Sequence, residues 1–118
     1  MAAITHVRSV TIFEVDQEYD SLDDGKMNAF AASLAGAVNA ADPPVLLLDL
    51  SQTTFIGSSF LGALVRAWKR LRDRQGRMAL CHANQTCREV LHASKLDTIW
   101  EVYPTREAAL EKMADDQK

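Results

Sequence analysis

The run Val45-Leu46-Leu47-Leu48-Asp49-Leu50 constrains this chain more than any other stretch. Asp42-Pro43-Pro44 closes it off on one side and Ser51-Gln52 on the other. An apolar segment that short, bounded by turn residues, reads as a strand rather than a helix. It does not alternate apolar with polar residues, as a strand with one wet face does. Both faces must therefore be covered, as in a parallel sheet flanked by helices.

The rest of the chain supplies the covering elements. Met27, Phe30, Leu34 and Val38 recur at helical spacing, which predicts a helix over 24–40 that Pro43 and Pro44 stop. Leu61, Leu64, Val65, Trp68 and Leu71 form one apolar stripe, which predicts a helix over 58–74 ended by Gly76. Met78–Cys81 and Ile99–Tyr103 read as short strands, and 85–94 as a helix with Val90 and Leu91 inward. Thr105 starts a last helix carrying Ala108, Ala109, Leu110 and Met113. Val7–Val15 holds two short β-prone pieces, with Val10, Ile12 and Phe13 directed to the core. Strand and helix alternate from residue 45 onward, which implies right-handed β-α-β units. The expectation is an α/β fold in a single domain over 1–118. Its sheet is mixed and mostly parallel, of four to five strands, with about four helices mainly on one face.

Composition excludes several functions. The formal net charge of -3 argues against nucleic acid as the main partner. No apolar run approaches the roughly 20 residues that span a bilayer, so no direct membrane insertion is expected. The start Met1-Ala2-Ala3-Ile4-Thr5 lacks the basic and apolar regions of a signal peptide, so the cytoplasm is expected. Cys81 and Cys87 do not form a redox C-x-x-C pair, and Cys81 closes an apolar segment as a small hydrophobe. Cys87 with His82 or His92 offers no tetrahedral zinc set, so no metal is expected. There is neither a phosphate-binding loop with Lys nor a dinucleotide fingerprint, so no cofactor is expected. Gly57-Ser58-Ser59-Phe60-Leu61 misses the G-x-S-x-G nucleophile elbow, because Leu61 stands where the second glycine belongs. A catalytic function is therefore not expected.

What remains is a pair of hydroxyls. Ser58 and Ser59 stand at the mouth of the second predicted helix, where the helix N-terminus favours negative charge. Two readings are open for them: a helix N-cap, or a place to carry a phosphoryl group, with Ser59 preferred over Ser58. Asp49 steadies the serine loop through backbone amides, tunes the acceptor's electrostatics, or caps the turn after its own strand. Asp20, Asp23 and Asp24 fall in an acidic stretch whose spacing is not that of a calcium loop. It reads as a solvated loop ahead of the first helix. The second helix also carries Arg66, Lys69, Arg70, Arg72 and Arg74, with Arg77 beyond. Those cations form a solvated face, or a face for an acidic partner surface or membrane phosphates. Trp68 and Trp100 are expected in the core.

Taken together, these residues resemble the STAS domain, and in particular the small bacterial anti-sigma factor antagonists built from that domain alone. The resemblance rests on Leu46-Leu47-Leu48-Asp49-Leu50-Ser51 and on Phe55-Ile56-Gly57-Ser58-Ser59-Phe60-Leu61-Gly62-Ala63-Leu64. Gly76-Arg77-Met78-Ala79-Leu80, Val90-Leu91, Leu96-Asp97 and Tyr103-Pro104-Thr105-Arg106-Glu107-Ala108 extend it over nearly the whole chain. It implies a partner that is both anti-sigma factor and ATP-dependent serine kinase. The unmodified antagonist binds that partner, and the phosphorylated one lets go. It further implies Ser59 and Ser58 as phosphorylation sites, and a partner surface of Asp20, Asp49, Gly57, Ser58, Ser59, Phe60 and Leu61. Gly57 stands where the family motif has an aspartate, and Phe60 where it has a glycine. An aromatic at 60 is expected to be exposed only if a partner uses it. The alternative is a STAS scaffold or accessory subunit that is not phosphorylated, in a stress-signalling complex or a lipid transporter.

Overall fold

The computed structural model describes residues 3–7, 9–15 and 24–115. Strands β1 (Ala3–Val7), β2 (Val10–Glu14), β3 (Val45–Asp49), β4 (Arg77–Cys81) and β5 (Glu101–Tyr103) form one sheet in the order β1-β2-β3-β4-β5. β1 runs antiparallel to β2, with Ala3 opposite Glu14 and Val7 opposite Val10. The other pairs are parallel, with Phe13 beside Leu48, Leu48 beside Leu80 and Leu80 beside Val102. The helices are α1 (Asp24–Ala40), α2 (Ser58–Asp73), α3 (Gln85–Ala93) and α4 (Arg106–Asp115), with a 3-10 turn at Leu96–Thr98. The expected α/β class, sheet type and helix placement hold.

From β2 to β5 the strand order advances one step at a time. A right-handed crossover then lays each connecting helix on the same face. α1, α2 and α3 accordingly cover one face, where Phe30, Leu34, Leu64, Leu71 and Leu91 pack on Phe13, Leu46, Leu48 and Leu50. No strand follows α4, and it folds over the opposite face. There Ala109, Leu110 and Met113 meet Val10, Ile12, Val45, Leu47, Ala79 and Cys81. The unbroken apolarity of β3 now has its cause: alternate residues face two different cores.

Three local readings change. β5 is shorter than the predicted 99–103, because the Ile99 and Trp100 amides both donate to the Leu96 carbonyl and are lost to the ladder. Trp100 is still buried in the core, as expected, whereas Ile99 is exposed. β1 lies earlier than the predicted Val7–Val15 stretch. At the end of α2 the left-handed residue is Gln75 (φ 59°), not Gly76. The Gln75 amide donates to the Arg72 carbonyl and the Gly76 amide to the Leu71 carbonyl, at 2.9 and 2.6 Å, a Schellman closure. Gly76 is needed for space, since a Cβ there would lie 2.2 Å from the Pro44 carbonyl oxygen. Arg74 donates to the Val38 and Ala41 carbonyls at 2.6 and 2.7 Å and so ties α2 to the end of α1. Trp68 is half-buried rather than internal, with the Arg72 guanidinium 4.7 Å from its ring centre.

Candidate functional site

The β3–α2 connection leaves the carboxyl end of the sheet, where open α/β folds place their sites. It is held from both sides. On the α4 side, Asp49 Oδ1 accepts the Ser51 amide at 2.9 Å, an Asx turn. Asp49 Oδ2 accepts from Arg106 Nε and Nη2 at 3.0 and 2.6 Å. Arg106 Nη2 also reaches Glu14 Oε2 at 3.0 Å, and Gln52 Nε2 reaches Glu14 Oε1 at 2.8 Å. On the other side Asn84 Oδ1 caps α3 by accepting the Cys87 amide at 2.8 Å. Its Nδ2 donates to the Thr53 and Thr54 carbonyls at 3.3 and 3.1 Å.

The electrostatics follow from this geometry. Burial alone would raise the Asp49 pKa, but the Ser51 amide and the Arg106 guanidinium outweigh it and hold the carboxyl below its usual range. Arg106 is correspondingly raised, chiefly by its hydrogen bond to Asp49. Burial first, then the Asp49 charge, pushes the Cys81 thiol up to about 12, so it is a packed and unreactive group. Asp49 is 2% exposed and faces inward. The Ser51 bond is the turn cap after β3, and the structure buries Asp49 rather than presenting it on a surface.

The start of α2 is built differently. Gly57 is the N-cap, with φ -102° and ψ -177°, an extended conformation open to any residue, and it makes no side-chain cap hydrogen bond. The Leu61 amide donates to the Gly57 carbonyl at 3.0 Å. Ser58 and Ser59 therefore occupy the first two helical positions, and the N-cap reading of the serines is corrected. Both are exposed. Phe60 is 1% exposed and stacks face to face on Phe30, with ring centres 4.6 Å apart. The exposed Phe60 ring implied above is thus also corrected. Position 60 continues the buried stripe Ala63, Leu64, Ala67 and Leu71, so helix geometry turns it inward. The exposed aromatic of this site is Phe55, at 48%. Its ring would stand 3.6 Å from a Cβ on Gly57. Leu61 is half-buried. Asp20 lies outside the described residues.

The structure thus brings exposed Phe55, Ser58 and Ser59 together around the half-buried Gly57 on one edge, backed by Asp49 and Phe60 inside. Sequence reasoning did not single out Arg106, Glu14 or the loop-clamping role of Asn84. Asn84 was legible as a cap, standing just before a predicted helix start. Nothing local marks Arg106 or Glu14, which meet across the fold.

Sheet order, loop and helix mouth together define the class: the chain belongs to the STAS domain family, whose model matches residues 1–109. It is 26% identical over 109 residues to the anti-sigma-F factor antagonist RsfA of Mycobacterium tuberculosis, covering 92% of this chain and 84% of that one. BtrV of Bordetella bronchiseptica, named as a candidate anti-sigma factor antagonist, is 36% identical over 78 residues, 66% of each chain. An anti-sigma-factor antagonist (STAS) domain protein from Planctomyces limnophilus superposes with a TM-score of 0.87 at 35% identity, covering 96% of this chain and 97% of that one. No helix among the described residues is long and apolar enough to cross a membrane.

Proposed function

We propose that this chain is a single-domain, cytoplasmic, non-catalytic anti-sigma factor antagonist. Its partner is an anti-sigma factor that is also a serine kinase. The exposed edge of Phe55, Gly57, Ser58 and Ser59 meets that partner, and Ser59, with Ser58 second, is the phosphoacceptor. In the transfer the γ-phosphoryl group of ATP passes to the serine Oγ, the hydroxyl proton leaves and ADP is released. One observation carries this reading: both serines are exposed in the first turn of a helix whose N-cap, Gly57, makes no side-chain cap hydrogen bond. A phosphate adds about -1.5 to -2 charge there. The helix N-terminus tolerates that charge, whereas a partner surface fitted to neutral hydroxyls does not. The names of the similar proteins support the same reading.

A second reading is a STAS scaffold or accessory subunit that binds without being phosphorylated. Gly57 favours it, because the α2 cap offers no carboxylate beside the acceptor hydroxyls. Pull-down of the cognate anti-sigma factor with the native chain, Ser59→Ala and Ser59→Asp separates the two. Binding kept by Ser59→Ala and lost by Ser59→Asp is expected. Equal binding by all three forms overturns the switch and leaves the scaffold.

A further inference from the structure

We propose that Arg66 is the internal receptor for a phosphoryl group on Ser59. The proposal rests on the phosphoacceptor reading above and adds the residue that answers the modification. On α2, at 100° per residue, Arg66 lies within roughly 20° of Ser59 around the helix, and about 80° from Ser58. The two serines are thus not equivalent toward it. Arg66 lies seven positions beyond Ser59, about 10 Å along the axis, too far for direct contact if the side chain stood straight out. It does not stand straight out. Arg66 Nη1 lies 3.4 Å from the point where a Cβ on Gly62 would sit. Its guanidinium has therefore already come back a full turn toward the helix start, the direction in which helical side chains lean. From Gly62 to Ser59 only about 4.5 Å of axis remains, within reach of a phosphoserine.

Gly62 keeps that path open, since a larger side chain there would occupy the guanidinium's place. Across the groove, α1 offers Ala31, Ala32 and Ala35, and the neighbouring cations on α2 are Lys69 and Arg70. No carboxylate pairs with Arg66 among the described residues. A planar guanidinium so placed suits two phosphate oxygens at once. Phosphorylation would then do two things to the exposed edge: add an anion at Ser59, and withdraw Arg66 from the row Arg66, Lys69, Arg70.

The test needs no kinase. Phosphoserine is installed at position 59 by genetic encoding, and its second ionisation, ordinarily near 6, is followed by phosphorus NMR. A cation within about 4–6 Å favours the dianion. The expected result is a midpoint lowered by about half a unit or more, with that lowering lost in Arg66→Gln and in Gly62→Leu. It is kept in Arg70→Gln, on the same side but one turn further away. An unshifted midpoint, or a shift that survives Arg66→Gln, overturns the proposal, the latter because the helix amides would then be the receptor. Failure of the pull-down would leave this result standing, and failure here would leave the pull-down standing, so the two readings can be told apart.

Discussion

Asp49 and Ser59 lie at opposite ends of one connection, and the fold treats them in opposite ways. Asp49 is buried, and its two oxygens are taken up by Ser51 and Arg106. Ser59 is exposed, in the first turn of a helix whose N-cap is the side-chain-free Gly57. Hydrogen bonding explains the division. A buried carboxylate must be fully partnered, since desolvation otherwise pushes it neutral or out. A hydroxyl in the first turn of a helix can stay wet at little cost. The stretch from Asp49 to Phe60 therefore contains residues that build the loop and residues that present it, and they alternate along a few positions. Phe60 builds, stacked on Phe30, while Phe55 presents.

The sharpest way to break that division is to cut into the building side. Phe60→Ala removes a ring from the core and should lower stability by about 3–5 kcal/mol in urea unfolding. A loss under 1 kcal/mol would mean that Phe60 is not a core residue. Next comes Arg106→Met. It leaves Asp49 buried without its cation, and because Arg106 is partly exposed the expected loss is about 2–4 kcal/mol. Unchanged stability would dissolve the idea that this pair holds α4 to the loop.

Acid titration sharpens the same point. The Asp49 pKa is lowered on folding, so its contribution is present above the usual aspartate value of 3.8 and is lost as pH falls through the lower folded value. Stability should therefore drop on acidification below that point, and Asp49→Asn should flatten that part of the curve. A slope identical in both chains would assign it to other carboxylates. The smallest effect belongs to the presenting side. Ser59→Ala should change stability by less than about 0.5 kcal/mol, while abolishing phosphoryl uptake at that position as read by intact mass. A large destabilisation would return Ser59 to the building class.

Much of this was legible in the chain. The apolar β3 run, the proline stop before it and the stripe of α2 are local patterns set by period and propensity, and they produced the right elements in the right order. The end of α2 was legible in outline, but Gln75 takes the left-handed position, and Gly76 serves instead where the Pro44 carbonyl comes close. Phe60 shows the opposite failure. Its spacing to Leu64, Ala67 and Leu71 puts it on the buried stripe of α2, whereas the resemblance implies a partner-facing residue there. Asn84 was half legible: a cap is local, whereas its grip on Thr53 and Thr54 is not.

By itself, the sequence determined that this chain must wrap a doubly buried strand in helices and set two serines at the start of one of them. Hydrophobic period and turn residues act over a few positions, so local order suffices to write them. Only the tertiary structure decided which motif residues face in. It brought Glu14, Asp49 and Arg106 together from three separate elements, chose Phe30 as the ring that Phe60 stacks on, and left Phe55, Ser58 and Ser59 outside. Those outcomes depend on which side of a shared sheet each helix crosses, and no short window of sequence contains that.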